Sequence, residues 1–518
     1  MMTSCPEPMC PEPMCPEPMA PDPVHRIDRL RWFCGRCAAI VVWATGCVTG
    51  LGCGSEAPAK TPAAPVVLTG GVQLHVVAPT LWPPAAGSRV RVSRGLAGAP
   101  GVQVAAYTTP PAPFRVVPHP DQAAWIGVEL VDAAGTVIAA GQTPALIVAS
   151  DAPDREVPLF LVARGQALAV RDVSAKPVTL AARVGSSATA LPDGSVVIAG
   201  GGAPTADGIP CAGGAPAQLD AAVRQLDPLR HDLTVIAQLA APRAFHAAAA
   251  LPGNRVALTG GYLGAPAAPG ASVELLSANQ ATIKTAPFGL SQARARHCVV
   301  ALGGRLLVVG GDGPGGGTAE LWDPGTGTVA TVALLGVRRR PSCEAVVDPT
   351  TGAQLVFVVG GDVGGAAVGT DVALQVDGSK LTLSGTLPPI AQAHRYEAVA
   401  ATLAPLGVLR IGGLAANDAG HEQISWLQLP GAAYAALGSL SEARGCGASA
   451  VVGHTLVLAG GVSGAGRSAA LAMIDLVERK VISVAMPVAR AGGWVVATTN
   501  GAALIGGGTA DGVVATLP

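Results

Sequence analysis

The stretch VVIAGG, at residues 196–201, recurs in six variants along the rest of the chain. Each variant has four mostly aliphatic or β-branched residues followed by a glycine pair. The further copies are VALTGG at 256–261, LLVVGG at 306–311, VFVVGG at 356–361, VLRIGG at 408–413, LVLAGG at 456–461 and AALIGG at 502–507. Successive pairs are 60, 50, 50, 52, 48 and 46 residues apart. A period near 50 predicts one small four-stranded sheet per repeat, which needs its neighbours to bury both faces.

The order of patterns within each repeat is constant. An apolar run rich in small residues leads through a turn into the glycine-pair strand, and Asp193-Gly194 and Asn500-Gly501 are residue pairs favoured in tight hairpins. A loop rich in glycine and proline follows, and then a third strand such as AELWDP at 319–324 and a fourth such as HDLTVIAQL at 231–239. The sequence therefore predicts an all-β protein.

Composition excludes several alternatives. Lys+Arg number 33 and Asp+Glu 34 in 518 residues, and only 13% of residues are charged, which disfavours nucleic-acid binding. Hydrophobic residues reach 50%, but 68 glycines and 44 prolines are too many for a bundle of membrane-spanning helices. The apolar content also excludes disorder throughout the chain.

The glycine pairs, the segment AELWDPGTGT at 319–328 and an arginine before the first strand resemble the kelch repeat, over residues 176–518. The resemblance implies a seven-bladed β-propeller, in which the first strands line a central channel. Kelch blades usually keep a tyrosine and a tryptophan, whereas this chain has 3% aromatic residues and only Trp322 stands at an expected position. We therefore expect valine, leucine and alanine to fill the spaces between blades.

Ring closure can be predicted by counting strands. The last repeat ends one strand short, at Val513–Leu517, while the segment PVTLAARV at 177–184 precedes the first repeat without a partner. Pairing these two segments would give seven complete blades without an open edge. Six blades and an unusual cap are the alternative.

Residues 67–175 show short alternating strands separated by turn clusters. This spacing predicts a small β-sandwich of immunoglobulin-like type, although no Cys, Trp, Cys spacing supports a true immunoglobulin domain. We expect this domain to serve as a spacer or a secondary binding module.

The N-terminus has the features of an export signal. Residues 1–24 contain the proline-rich repeat CPEPM and are expected to be disordered, and residues 25–53 combine a cationic segment with the apolar run 37–52. Leu51, Gly52 and Cys53 resemble the lipobox of bacterial lipoproteins, which implies a lipid anchor on Cys53 and a linker over 54–66. Cys47 offers a second frame, and a plain secretory signal or an uncleaved anchor is a further alternative. The predicted location is the cell envelope, attached to its membrane.

The candidate site residues come from comparing the repeats. Arginines stand three residues before corresponding positions of the first strands, and the fifth repeat departs from the rule with His394 and Arg395 displaced. The arginines are Arg183, Arg243, Arg294, Arg340, Arg444 and Arg490. A ring of arginines could bind an anionic or polyhydroxylic partner, or it could hydrogen-bond backbone carbonyls and hold the blades together. The candidate ligand-binding residues are Arg243, His246, Arg294, His297, Arg340, Glu344 and Arg444.

The sequence contains no nucleotide-binding or zinc-protease motif, and we expect no metal or other cofactor. Copper radical oxidases share the kelch fold but need several tyrosines at their metal site, and only Tyr396 occupies a first-strand position. Glu344 and Glu397 were aligned at equivalent positions of adjacent repeats. We therefore expect a lipid-anchored scaffold that binds a protein, anionic or glycan partner on its loop-rich face. An extracellular carbohydrate-active enzyme is the alternative, and a purely structural role in the envelope is a third possibility.

Four cysteines, Cys211, Cys298, Cys343 and Cys446, lie in the predicted folded part. They allow three disulfide pairings, and the sequence does not choose among them.

Overall fold

A computed structural model describes most of the chain after residue 65. The described ranges are 66–68, 72–77, 86–96, 101–107, 114–116, 122–148, 155–204, 215–390, 394–395, 398–403, 406–415, 417–429, 433–464, 466–499 and 501–516. All of the described residues belong to one of the two units into which the chain divides, 53–518. The proline-rich repeat, the export signal, Cys53 and nearly all of the linker lie outside the described residues.

The described chain is all-β, as the sequence predicts, and none of its helices is long and apolar enough to cross a membrane. From residue 168 onward it forms seven four-stranded antiparallel sheets, which we number in order of their first strands. Sheet 1 contains Ser187–Ala190, Val196–Ala199, Ala222–Leu226 and Leu233–Gln238; sheet 2 contains Ala247–Leu251, Arg255–Thr259, Val273–Ser277 and Thr282–Thr285; sheet 3 contains Cys298–Leu302, Arg305–Val309, Thr318–Asp323 and Gly327–Ala333; sheet 4 contains Ser342–Val347, Gln354–Val359, Val372–Asp377 and Lys380–Thr386.

The remaining three sheets follow the same plan. Sheet 5 contains Ala398–Leu403, Leu406–Ile411, Gln423–Gln428 and Ala435–Ser439; sheet 6 contains Ala448–Val452, Thr455–Ala459, Gly466–Asp475 and Val481–Arg490; sheet 7 contains Gly493–Ala497, Ala503–Gly507, Val514–Thr516 and, from before sheet 1, Leu168–Ala169. The loops add short elements at Arg243–Ala244, Tyr262–Leu263, Ala268–Pro269, Asp362–Val363, Ala366–Ala367 and Val462–Ser463, with 3-10 turns at Ala278–Gln280 and Pro314–Gly317.

Each sheet packs on the next through a hydrophobic cluster. The first strands of successive sheets are in contact, and the first strand of sheet 7 contacts that of sheet 1. One cluster lies between each neighbouring pair, including sheets 7 and 1, where Trp494 and Leu504 meet Val196 and Ile198. These clusters are mainly aliphatic, which agrees with the expectation from composition. Burial of this surface is the main term that stabilises such an arrangement, at about 25 cal/mol per Å² of apolar area.

The predicted segment 177–184 does contact the last repeat, but the strand that completes sheet 7 is a different one. Leu168 and Ala169 pair with Ala515 and Val514, and so complete sheet 7. The predicted segment 177–184 instead turns back beside this strand, where the Val178 N–H donates to Val170 O and the Val178 carbonyl accepts from Val513 N. Both the strand Leu168–Ala169 and the segment 177–184 are short apolar runs, and strand periodicity alone does not show which of them pairs with the last strand.

The glycine pairs allow neighbouring sheets to approach closely. Gly200 and Gly201 have φ of 60° and 100°, and the Gly201 N–H donates to Arg243 O of the next sheet over 2.8 Å. A Cβ on Gly200 would lie 2.4 Å from that same carbonyl oxygen, so no larger residue fits. In the last repeat the left-handed pair is Gly507–Gly508, one residue later than predicted from the sequence.

Two further sheets precede the seven. The larger contains Val66–Leu68, Leu146–Val148, Ala124–Val131, Arg89–Leu96 and Val102–Tyr107, with Val137–Gln142 and Val162–Ala163 attached; the smaller contains Phe114–Val116, Val72–Val77 and Arg155–Phe160. The alternating buried residues of both sheets share one core, in which Leu74 and Leu159 of the smaller sheet meet Val92 and Ile126 of the larger.

Candidate functional site

The loops after the second strands and the segments that lead into the first strands lie at one end of the seven sheets. Backbone bridges join them directly, for example Ala295 to Asp312, Arg339 to Asp362 and Gly445 to Val462. The arginine segments and the loops therefore share one end of the sheets, which we call the loop end. The two-residue turn Gly303–Gly304, with both φ positive, belongs to the opposite end.

Arg243 and Arg294, two of the predicted ligand-binding residues, have fully buried side chains. Arg294 Nη1 donates to the carbonyls of Gly310, Gly315 and Thr318 over 2.9–3.1 Å, and Nη2 lies 3.1 Å from Glu320 Oε1. Arg243 has the same arrangement with Glu274. Burial lowers the pKa of both guanidinium groups, and the carboxylates oppose that shift. These two arginines hold the loop of their own sheet, as in the structural alternative, and are not presented to a ligand.

Arg340 does not occupy the register predicted for it. The Gly311 N–H donates to Arg338 O, just as Gly261 N–H donates to Arg294 O, so Arg338 is the buried arginine of sheet 4. Arg338 Nη1 donates to Gly360 O over 3.2 Å. The error arises because 338–340 is a run of three arginines, and a letter pattern does not fix which of them accepts the bond.

The fifth repeat replaces its arginine by His394. The second strand of sheet 5 carries a different arginine, Arg410, whose Nη1 lies 2.8 Å from Asp371 Oδ2 of sheet 4. Both side chains are buried.

Arg444, also a predicted binding residue, is 1% exposed, and its three guanidinium nitrogens have no hydrogen-bond partner in the described chain. Burial lowers the pKa of Arg444, and the nearby Glu442 carboxylate opposes this shift. Arg490 of sheet 7 is likewise buried. Arg183 is partly exposed and lies 3.6 Å from Asp220.

His246 and His297 connect neighbouring strands. His246 Nε2 lies 2.7 Å from Ser187 Oγ of sheet 1, and His297 Nε2 lies 2.8 Å from Thr259 Oγ1 of sheet 2. Burial lowers the pKa of His246 to about 3 and that of His297 well below its ordinary value, so both rings are neutral at pH 7. They are inter-sheet contacts, not residues at an accessible ligand site.

Glu344 and Glu397 do not form an equivalent pair. Ser342 pairs with Val359, directly before a glycine pair, which places Glu344 two residues inside its strand. Glu397 precedes the strand Ala398–Leu403 and lies outside the described residues. The described residues at the register of Glu344 include Thr189, Ala249, Val300 and Ala450. Glu344 is thus a single half-buried carboxyl group among small side chains, and burial raises its pKa to about 7.

A different group of side chains meets at the loop end. Phe245, Arg296 and Arg340 each stand two residues after a buried arginine and have φ of 53°, 52° and 56°. Non-glycine residues rarely adopt this conformation, and such strain concentrates at functional sites. The Phe245 N–H donates to Gly185 O and the Arg296 N–H to Phe245 O, both over 2.7 Å, so these residues are linked from sheet to sheet.

Their side chains form an alternating polar and aromatic network across sheets 2 to 4. The Arg296 guanidinium lies 4.1 Å from the Phe245 ring centroid and 5.4 Å from that of Tyr262. The Tyr262 hydroxyl donates to Asp312 Oδ2 over 2.7 Å, and Arg296 Nη1 lies 3.4 Å from the same oxygen. Burial and then the Asp312 hydrogen bond raise the pKa of Tyr262 to about 12.

Arg340 extends this network to sheet 4. It lies 3.6 Å from Asp312 Oδ2 and 3.3 Å from Asp362 Oδ2, so two arginines and two aspartates alternate. Phe245 and Tyr262 are half-buried, and the neighbouring Arg339 is exposed. The loop-end cluster is defined as Phe245, Tyr262, Arg296, Asp312, Arg340 and Asp362. Of these, sequence comparison found only Arg340; aligning the repeats on their glycine pairs would have placed Phe245 and Arg296 beside it.

Cysteine and metal chemistry add little to this site. Cys298 and Cys343 form a disulfide between the first strands of sheets 3 and 4, with Cα atoms 6.0 Å apart. Cys446 is also disulfide-bonded, and Cys211 lies outside the described residues. Within the described ranges, no group of three or more His, Cys, Asp or Glu side chains could hold a metal ion.

A cavity of about 340 Å³ lies at the opposite end, between sheets 3 and 4. Its charged groups are already engaged with the protein: Arg305 Nε lies 3.3 Å from Asp323 Oδ2, and Arg305 Nη1 donates to Gly378 O. The cavity therefore offers few unengaged groups for recognition, unlike the partly exposed loop-end cluster.

Comparison with known proteins gives little information. No protein-family model and no curated protein sequence matches the chain. A solved structure described as "Structure of YjhT" is similar to 59% of this chain and 99% of its own, with 14% sequence identity and a TM-score of 0.45.

Proposed function

We propose that the seven sheets form a seven-bladed β-propeller of kelch type and that residues 67–175 form a β-sandwich in front of it. The contact between the first strands of sheets 7 and 1 supports ring closure. The core shared by the two N-terminal sheets supports the sandwich. The strand from before sheet 1 that completes sheet 7 is a common way to close such a ring.

The protein is proposed to act outside the cytoplasm, anchored to a membrane through a lipid on Cys53. The cationic segment, the short apolar run and the small residues before Cys53 support export. The Cys298–Cys343 disulfide is consistent with it, because disulfides persist in oxidising compartments. Cys53→Ala should release the protein from the membrane fraction, whereas release by Cys47→Ala alone would favour the second frame. Retention of both variants would contradict the lipid anchor.

The function best supported is that of a binding scaffold for a protein partner, and the loop-end cluster is the observation that carries this proposal. Half-buried aromatic rings beside arginines are typical of energetic hot spots in protein interfaces. The alternation of Arg296, Asp312, Arg340 and Asp362 leaves the cluster without net charge, which suits a partner of mixed polarity better than a polyanion. Loops on a rigid scaffold are a common location for recognition.

The test is affinity capture by the full-length protein from an envelope extract, followed by a binding assay with the purified candidate. Arg339→Ala and Arg340→Ala should weaken binding. Arg230→Ala should not weaken binding, because this exposed arginine pairs with Asp232 in the turn between the third and fourth strands of sheet 1, away from the cluster. A partner bound equally by all variants would contradict the loop-end site. Binding in a glycan array that is lost in the same two variants would replace a protein partner with a glycan.

A further inference from the structure

The buried arginines that precede the first strands differ in what surrounds their guanidinium groups. In each sheet, the residue two before the left-handed glycine pair is paired with one residue of the third strand, which marks an equivalent position in every sheet. That position holds Glu274 in sheet 2, Glu320 in sheet 3, Ala472 in sheet 6 and Val514 in sheet 7. Sheets 2 and 3 therefore have a carboxylate where sheets 6 and 7 have an aliphatic side chain.

A second position, two residues earlier, shows the same contrast. In sheet 3 the Thr318 hydroxyl accepts from Arg294 Nη2 over 3.0 Å, and in sheet 2 the Ser272 hydroxyl accepts from Arg243 Nη2 over 3.1 Å. Sheet 7 has Gly512 at this position. Both side chains that bond the guanidinium in sheets 2 and 3 thus have no polar counterpart in sheet 7.

Arg490 is the arginine of sheet 7, and it is 2% exposed. Its Nη1 makes one long bond, 3.5 Å to Gly512 O, while Nε and Nη2 have no hydrogen-bond partner in the described part of the chain. Burial lowers its pKa, and no carboxylate opposes the shift. An isolated buried charge is costly unless a counterion and hydrogen bonds accompany it.

Arg444 of sheet 6 is a useful comparison because a carboxylate remains near it. Glu442, whose Oε2 accepts from the Ser468 hydroxyl, raises the pKa of Arg444 against the effect of burial. Among the residues that the structure describes, Arg490 has no such neighbour. The unneutralised guanidinium is therefore at Arg490, next to the seam where the two chain ends join.

We propose that Arg490 binds the carboxylate of a small organic acid, in the place that Glu274 and Glu320 fill in sheets 2 and 3. A guanidinium presents parallel N–H donors that match the two oxygens of a planar carboxylate. Gly512, whose carbonyl accepts the single bond from Nη1, is only half-buried, and Asp511 beside it is exposed. This site is independent of the proposed partner at the loop-end cluster.

The test is thermal unfolding of the full-length protein in sodium acetate and in sodium chloride at equal pH and ionic strength. Acetate should raise the Tm in a saturable manner, by about 1 °C at several times its Kd. Val514→Glu introduces the carboxylate that sheets 2 and 3 carry, and it should raise the Tm in chloride and abolish the acetate effect. Ala472→Glu is the matched control at Arg444 and should keep the acetate effect.

Arg490→Met provides a second variant that removes the charge, and it decides the question if Val514→Glu does not fold. It should lose the acetate effect. No acetate effect in the wild-type protein, or an equal effect in the wild type and Arg490→Met, would overturn the proposal. Inorganic phosphate at matched ionic strength should have a smaller effect, and an equal or larger one would overturn the assignment to a carboxylate.

Discussion

Replacing Arg294 by alanine should destabilise the protein severely. The substitution leaves Glu320 with 0% exposure and removes the guanidinium 3.1 Å from its Oε1. It also removes donors from three backbone carbonyls, those of Gly310, Gly315 and Thr318. Breaking a buried ion pair on one side typically costs about 3–5 kcal/mol, and we expect a loss in this range.

The measurement is urea unfolding followed by tryptophan fluorescence, since Trp322 is buried in the cluster between sheets 2 and 3. Arg230→Ala is the control: its side chain is 63% exposed, and its partner Asp232 is 40% exposed. Exposed ion pairs contribute little to stability, so this variant should unfold at nearly the wild-type urea concentration. A loss below about 1 kcal/mol for Arg294→Ala would refute the structural role of the buried arginines.

A double variant separates charge from packing. Arg294→Met with Glu320→Leu removes both charges and keeps much of the volume, and replacement of a buried pair by apolar residues is often neutral or stabilising. We expect the double variant to recover most of the loss. A double variant as unstable as Arg294→Ala would show that the lost backbone hydrogen bonds dominate.

Three further predictions follow from the same structure. Deleting residues 513–518 should lower the Tm sharply, because Val514 and Ala515 carry the pairing that closes sheet 7; an unchanged Tm in calorimetry would contradict this closure. The folded-state pKa of His246 is about 3, below the unfolded value of about 6.5, so the free energy of unfolding is greatest above pH 6.5 and falls as the pH drops toward 3. His246→Asn should reduce this pH dependence by up to about 1.4 kcal/mol per pH unit, measured by urea unfolding at several pH values. An unchanged pH dependence would exclude His246 as its source. Replacing Cys298 and Cys343, 45 residues apart, by alanine should cost about 4 kcal/mol in the chain-entropy model, measured against the wild type with and without reductant; a wild type insensitive to reductant and equal to the variant would contradict the bond.

Strand class and repeat period were predictable because both depend on local chemistry. The alternation of aliphatic residues and the positive φ of Gly200 and Gly201 are properties of a few neighbouring residues, so a letter pattern reveals them. Register was less predictable. The run 338–340 offers three equal candidates for one arginine, and only the bond from Gly311 N to Arg338 O selects among them.

The candidate site was mostly unpredictable from the sequence, because its residues come together only through contacts between sheets. Arg340 was found, but Phe245, Tyr262 and Asp312 join it from other repeats. They stand at regular positions relative to the buried arginines and the glycine pairs, yet only the contacts between sheets show that these positions meet. Glu344 was paired with Glu397 for the opposite reason, since similar letters in adjacent repeats suggested an equivalence that strand pairing does not support.

The sequence by itself determined an all-β chain with seven glycine-pair strands, because backbone conformation and side-chain alternation are local. The tertiary structure decided which arginines have carboxylate partners, that Arg490 has none in the described part of the chain, and which earlier segment completes sheet 7. These outcomes depend on groups brought together from distant parts of the chain. Their energies are set by burial and by pairing across sheets, which the order of residues alone does not reveal.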